Sequence, residues 1–305
     1  MLSILVPIYN YNVYPLVLEL YKQCMDCEID FEILCQDDAS KSSLNVLNEN
    51  VNALSNCSFV SLKENLAHRE NRNSLAEQAK FDYLLFIDGD SIIIHDHYIK
   101  KYIDNILDFD VVYGGRLHPE KCPSDNQKLR WKYGRFIEDK SAINRKKKPY
   151  QSLLFNNTVI RKDCFNKVKF DKNRKKYGHD DTQLSYQLSL LKSKVNHIEN
   201  PVEHGDIDSN LIYLNKTKES LENLISLYEE EKIDIEFVRL IQLYHFLKRT
   251  KSTFIISKIH TFLEKHLLQN LTGKNPDLFL FNWFRVGYLC SINDKNQSFL
   301  SPINN

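Results

Sequence analysis

The chain has 305 residues, 42% hydrophobic and 27% charged, with a formal net charge of +1. That composition is globular, not disordered, and the length suits one large domain with an appendage or two small domains. So neutral a balance excludes the broad basic field by which nucleic-acid-binding proteins engage phosphate.

Ser3-Ile4-Leu5-Val6 opens the chain as an apolar strand running to residue 8, with Pro7 and Asn10 turning out of it. No basic leader precedes it, and no apolar run approaches the roughly 20 residues of a membrane span, so the expectation is a soluble, cytoplasmic chain. Val13, Leu16, Val17, Leu20 and Met25 recur at near-helical spacing. Phe31–Cys35 reads as a second strand, closed by Gln36-Asp37-Asp38-Ala39-Ser40. A helix is expected over residues 43–54, a third strand over Phe59–Leu62 and a helix over 67–80. Tyr83–Ile87 is a strongly apolar fourth strand ending at Asp88. Seven scattered cysteines read as reduced thiols, and Cys24-Met25-Asp26-Cys27 lacks the second pair that a structural zinc needs.

Beyond residue 90 a helix is expected over 92–107 and a strand at Val111–Tyr113, followed by a polar, basic, irregular stretch over 116–150. A strand and a short helix are expected between residues 152 and 168, a helix after His179-Asp180-Asp181, and a late strand at Val195–Ile198. From about residue 216 long amphipathic stretches imply helices, so the chain divides into a domain over 1–215 and a helical C-terminal extension over 216–305.

The β-α-β-α-β-α-β order of the first ninety residues implies a mostly parallel sheet with helices on both faces. In such sheets ligands bind beyond the carboxyl ends of the strands. Asp37, Asp38, Asp88 and Asp90 all follow strands, so four carboxylates share one rim. Asp88-Gly89-Asp90 sets two acids on a tight turn where they can share a divalent cation with a diphosphate, though such turns also serve as simple caps. A carboxylate of the Asp37-Asp38 pair can accept from a pyrimidine imide, with helix capping by an Asp or Ser40 as the alternative. Asp180 and Asp181 open a helix, where a carboxylate tends to stay ionised and can act as general base. His204 is placed to complete a metal site with the turn acids. Arg69 and Arg72, three residues apart on one helix face, are candidates to neutralise phosphate, with solvated surface charges as the alternative.

In this order the elements resemble the family 2 glycosyltransferases with a GT-A fold, over roughly residues 3–205. Val6-Pro7-Ile8-Tyr9-Asn10 is similar to the family's first-strand motif, Asp37-Asp38-Ala39-Ser40 to its second-strand acids, Asn65 to Asn73 to its helix motif, and Asp88-Gly89-Asp90 to its DXD motif. The resemblance implies that Pro7, Tyr9 and Asp38 hold the nucleobase, with Asn10, Arg69, Arg72, Asp88 and Gly89 completing the nucleotide site. It implies that Asp90, Asp88 and His204 serve Mn2+ or Mg2+, and that Asp181 is the base of an inverting transfer. Asp180, His179 and Trp131 fall to the acceptor side.

The implied activity moves a hexose or N-acetylhexosamine, most naturally from a UDP-sugar, to a glycan or lipid-linked glycan in polysaccharide, lipopolysaccharide or glycoprotein assembly. Three features depart from the family pattern. His179-Asp180 replaces the commoner Gly-Glu. Leu66-Ala67 stands where Gly is frequent. Gln127-Lys128-Leu129-Arg130-Trp131 spells a QxxRW motif ahead of Asp181, not after it, and reads as coincidence.

Two rivals are weighed. A nucleotidyltransferase usually carries a Gly-rich basic loop after its first strand, and Pro7–Asn12 holds no Gly, Lys or Arg. A non-catalytic scaffold on a transferase fold is disfavoured because every rim carboxylate and Asp181 is present. Phe279, Phe281, Trp283, Phe284 and Tyr288 cluster near Arg285, which makes the C-terminal helices candidates for peripheral contact at the inner face of the cell membrane. Packing of the same cluster against a core is the preferred reading.

Overall fold

The computed structural model describes residues 1–174 and 176–300, with side chains described as far as Ile292. Its strands are β1 (Leu2–Ile8), β2 (Phe31–Asp37), β3 (Cys57–Ser61), β4 (Tyr83–Ile87), β5 (Ser91–Ile93), β6 (Val111–Tyr113), β7 (Arg116–Leu117), β8 (Asn157–Arg161), β9 (Val195–His197) and β10 (Val202–His204). Seven of them form one sheet in the order β3-β2-β1-β4-β8-β6-β9. β8 alone runs against its neighbours β4 and β6; the other pairings are parallel. The chain leaves β1 for β2 on one side and later returns to β4 on the other. Such a reversal opens a crevice at the carboxyl ends of the strands.

Hydrophobic alternation explains why this sheet is covered on both faces. Leu2, Ile4, Val6 and Ile8 of β1 point into one apolar cluster with Leu85 and Ile87 of β4. Leu5 points the other way, with Leu84 and Phe86, into a second cluster. Such two-sided burial is the rule for parallel sheets. Phe86 is braced by Phe155, Phe165 and Phe170, with ring centroids 6.0, 5.0 and 6.1 Å away.

The elements of the first ninety residues lie where the periodicity sets them, except that the stretch 43–54 forms a short α-helix, Asn45–Asn48, and a 3-10 turn, Glu49–Ala53. Two further expectations change. The stretch expected as a helix over 92–107 begins as β5, because Ser91, Ile92 and Ile93 pair with β10; the helix follows only at Tyr98–Ile103. The stretch expected as irregular over 116–150 holds β7 and the helices Lys128–Tyr133 and Ala142–Lys146, with a π-helical turn at Gly134–Glu138 between them. These pieces are too short to leave a periodic signature. β5, β10 and β7 form a second, three-stranded sheet.

The chain divides into two compact units. The first comprises Met1–His118, Glu138–Lys175 and Asp180–Asp206; the second comprises Pro119–Ile137, Lys176–His179 and the chain from Ile207 onward. The second unit is helical, with long helices at Asn210–Glu229, Arg239–Arg249, Thr253–Leu271 and Leu278–Leu300. Phe281 and Phe284 are buried there with Leu129, Leu214, Leu267 and Leu271, so the aromatic cluster packs inward and leaves Phe279 outside. Among the described residues no helix is long and apolar enough to cross a membrane.

His197 ties β9 to the protein interior. It is fully buried, its Nε2–H donates to the Pro149 carbonyl at 2.9 Å, and its ring meets Tyr113 edge-on. Burial pushes its pKa down from 6.5 to about 4. A histidine depressed on folding leaves stability intact above the unfolded pKa and removes it as pH falls toward the folded value. The stability difference between wild type and His197→Gln should therefore change by up to about 3 kcal/mol between pH 7 and pH 4, against the wild type at acid pH. Urea unfolding at both pH values checks this; parallel acid curves would refute the burial effect.

Candidate active site

The rim of the large sheet carries a pocket of about 320 Å³ lined by the ends of β1, β2 and β4. Pro7, Ile8 and Tyr9 continue β1 into it, and Tyr9 stands 65% exposed. Asn10 follows with φ of +55° but does not line the cavity. Asp38 enters from the end of β2, its backbone N–H bonded to the Ile8 carbonyl at 2.9 Å.

The two acids after β2 have separate environments. Asp37 accepts from the Ser40 backbone and hydroxyl, the Asn45 amide and the Ser61 hydroxyl. Burial alone would raise its pKa, but these bonds hold it below the ordinary carboxylate value. It is the capping acid of this turn. Asp38 faces the cavity, where burial raises its pKa against the lowering effect of the Leu66 and Ala67 backbone N–H groups. The Leu66 N–H donates to it at 2.6 Å. Ala67, standing where the resemblance leads one to look for glycine, takes φ +66° and ψ 156°. That backbone region costs a residue with a Cβ about 1–3 kcal/mol.

Asp88, Gly89 and Asp90 form the opposite wall. A Cβ on Gly89 would lie 3.0 Å from Val13 and 3.2 Å from the Pro7 carbonyl, so a bare backbone lets the turn sit close to the end of β1. Pairing of β5 with β10 sets His204 opposite Ser91, the residue after the turn. Nδ1 of His204 then lies 3.0 Å from Oδ2 of Asp90. Gly205 keeps this contact close: its N–H bonds the Asp90 carbonyl at 2.9 Å, and a Cβ there would meet the same oxygen at 2.6 Å.

The Asp90–His204 separation tests whether a divalent ion fits. Two adjacent ligands of an octahedral ion, each about 2.1 Å from it, lie about 3.0 Å apart, so the spacing of this ion pair is also that of two ligands on one ion. No cluster of three or more His, Cys, Asp or Glu side chains suited to a metal occurs among the described residues. Ions of this class commonly take one or two protein ligands and complete their shell with substrate phosphates and water.

The helix His68–Gln78 behaves unlike a surface helix. Its buried residues are mainly polar: Arg69, Asn71, Arg72 and Asn73, beside Leu75 and Ala76. Arg72 is 2% exposed and sits over the Phe170 ring at 5.4 Å. Its guanidinium donates to Asp88 and lies 3.6 Å from Asp181. Arg69 donates to Asp180 and to the Arg174 carbonyl. Neither arginine lines the pocket; both grip carboxylates.

The resulting electrostatics separate Asp88 from Asp181. Burial would raise the Asp88 pKa, but the Arg72 charge holds it below the usual carboxylate range. Burial dominates at Asp181 and raises its pKa despite Arg72. Oδ1 of Asp181 accepts no hydrogen bond.

His179 and Trp131 belong to the second unit, where Trp131 donates to the Pro119 carbonyl at 2.8 Å. Tyr11, Asn65, His68, Asn71 and Asp206 line the pocket as well, though the sequence reading singled out none of them for a role there. Asn65, in the loop before the helix, and Asn71, on it, flank the stretch His68-Arg69-Glu70.

Residues 3–169 match the description glycosyl transferase family 2, and the chain belongs to that family. Its fold is that of the GT-A glycosyltransferases. No curated protein matches the sequence. Among solved structures, the mannosyltransferase PcManGT from Pyrobaculum calidifontis, in complex with GDP-Man and Mn2+, is similar with a TM-score of 0.56 and 11% identity, covering 98% of this chain and 88% of its own. TarS 1-349 of S. aureus, in complex with UDP-GlcNAc, is similar with a TM-score of 0.50 and 15% identity, covering 97% and 92%. At these identities the likeness is one of fold.

Replacing Arg72 by Met removes the cation between Asp88 and Asp181. Because both acids keep some solvent contact, the expected loss is at the lower end for a broken buried pair, about 2–3 kcal/mol. Chemical denaturation measures it; a loss under about 0.5 kcal/mol, the size of an ordinary surface change, would show that the pairing is not structural.

Proposed function

We propose that the protein is an inverting glycosyltransferase that moves a sugar from a nucleotide-sugar, with UDP the favoured nucleotide, to a hydroxyl of a glycan or lipid-linked glycan. The observation that carries this reading is Asp90, which lines a pocket that also holds Tyr9 and Asp38 and has His204 3.0 Å behind it. Tyr9 and Pro7 offer an aromatic and an apolar surface to a base, and Asp38 offers a carboxylate to its imide N–H. Asn10, which follows Tyr9 at a positive φ and lies outside the cavity lining, is proposed to act only by holding the turn that carries Tyr9. Asp88, with one oxygen committed to Arg72, turns the other toward ribose and metal, and Gly89 gives the diphosphate room.

Asp90 and His204, with Asp88 beside them, would hold Mn2+ or Mg2+, whose chemistry is to neutralise charge on the departing diphosphate. Asp181 accepts the proton of the acceptor hydroxyl. The freed oxygen forms a bond to the anomeric carbon as the carbon–oxygen bond to the diphosphate breaks, and the nucleoside diphosphate leaves with that electron pair. A carboxylate with a raised pKa is a stronger base, which suits this role. Asp180, held by Arg69, positions the start of the same helix. His179 and Trp131 are proposed for the acceptor side, and Arg69 and Arg72 support the nucleotide site through the acids they bind. The proposed setting is the cytoplasm, at the inner face of the cell membrane, in polysaccharide, lipopolysaccharide or glycoprotein assembly.

Asp181→Asn should lower transfer by about 10²–10⁴-fold while leaving UDP affinity within about threefold, as expected for loss of a general base alone. Donor turnover followed by UDP release across a panel of UDP- and GDP-sugars checks both the base and the donor. Unchanged transfer by Asp181→Asn would remove the base assignment, and turnover of GDP-sugars alone would remove UDP.

A further inference from the structure

The second unit carries an exposed surface that the transferase reaction does not use. In the helix Thr253–Leu271, Ser257, His260, Leu267 and Leu271 are buried. The opposite stripe bears Ile255, Ile259 and Phe262, with Phe254 at its edge, all exposed; Phe262 is 81% exposed. These positions recur at helical spacing and share one face. Lys258, Lys265 and His266 flank them on that face, and the Lys258 ammonium lies 5.2 Å from the Phe254 ring centroid. Phe246, also exposed, precedes Lys248, Arg249 and Lys251 at the end of the preceding helix.

Between residues 246 and 266 the chain has Lys248, Arg249, Lys251, Lys258 and Lys265 against the single acid Glu264. Glu264 lies 3.6 Å from Lys218, outside this stretch. The acidic residues Glu229–Glu231, Asp234 and Glu236 precede the helix Arg239–Arg249, and that helix separates them from Lys251 by about 16 Å along its axis. Aromatic and aliphatic side chains standing between cations match the two layers of an anionic bilayer, with charge against headgroups and rings at the acyl boundary. A second copy of this face would bring cations against cations, which disfavours self-pairing.

We propose that this face docks the protein on an anionic lipid bilayer, with Phe262 and Ile255 inserted and Lys258, Lys265 and the Lys248–Lys251 cations on headgroups. It rests on the membrane-side part of the function proposed above, and not on the donor.

The test is flotation of the full chain, without nucleotide, with vesicles of phosphatidylcholine alone or mixed with phosphatidylglycerol. Binding is expected only to the anionic vesicles, and it should weaken as salt rises to about 0.5 M. Ile255→Ser with Phe262→Ser should cut it at least about 10-fold, and so should Lys258→Glu with Lys265→Glu. All variants should keep the wild-type melting temperature and its response to UDP, which separates a failed docking surface from a failed transferase reading. Absence of vesicle binding, or binding indifferent to both double variants, overturns the proposal. A dimer in light scattering that Phe262→Ser dissociates overturns it in favour of a second copy.

Discussion

A guanidinium shut away from water must be paired, and Arg72 is paired with both sides of the site. It binds Asp88 on the turn after β4 and approaches Asp181 on the helix Asp180–Leu190. One cation thus links the wall of the rim pocket to the carboxylate proposed as base. It also makes the two acids different. Asp88 is drawn to stay ionised, whereas burial raises Asp181 and makes it more basic. Paired carboxylates whose environments push them apart are a common basis for dividing roles between them.

Topology brings the remaining groups to the same rim. Reversal of strand order around β1 opens the crevice between the ends of β1 and β4. The small β5-β10-β7 sheet then folds the chain back so that His204 meets Asp90, although 114 residues separate them in sequence (204 minus 90). Gly89 and Gly205 allow both close approaches. The Asp90–His204 contact thus depends on two sheets meeting at one turn.

The sequence showed β1 to β4 clearly, because each is an apolar run followed at once by an acid or a turn. It therefore placed the rim acids, yet it could not tell Asp37 from Asp38. That distinction lies in the hydroxyls and amides of Ser40, Asn45 and Ser61, whose convergence on Asp37 is a three-dimensional fact. Arg69 and Arg72 read as surface or phosphate-binding charges because nothing local shows that their helix is buried; their partners Asp180 and Asp181 lie more than 100 residues away in sequence. β5, β7 and β10 have only two or three residues each, too few for alternation to register. In the C-terminal segment, inward packing is the preferred reading for the aromatic cluster, and Phe281 and Phe284 do face a core; Phe262, outside that cluster, faces outward.

Asp90 and His204, as proposed, make nucleotide binding depend on a divalent ion. Titration calorimetry of UDP in Mn2+ and in excess chelator tests it most directly. Binding at least about 10-fold tighter with Mn2+ is expected, a gain abolished in both Asp90→Asn and His204→Ala. Equal affinity in chelator, or a Mn2+ gain that survives both substitutions, would contradict it.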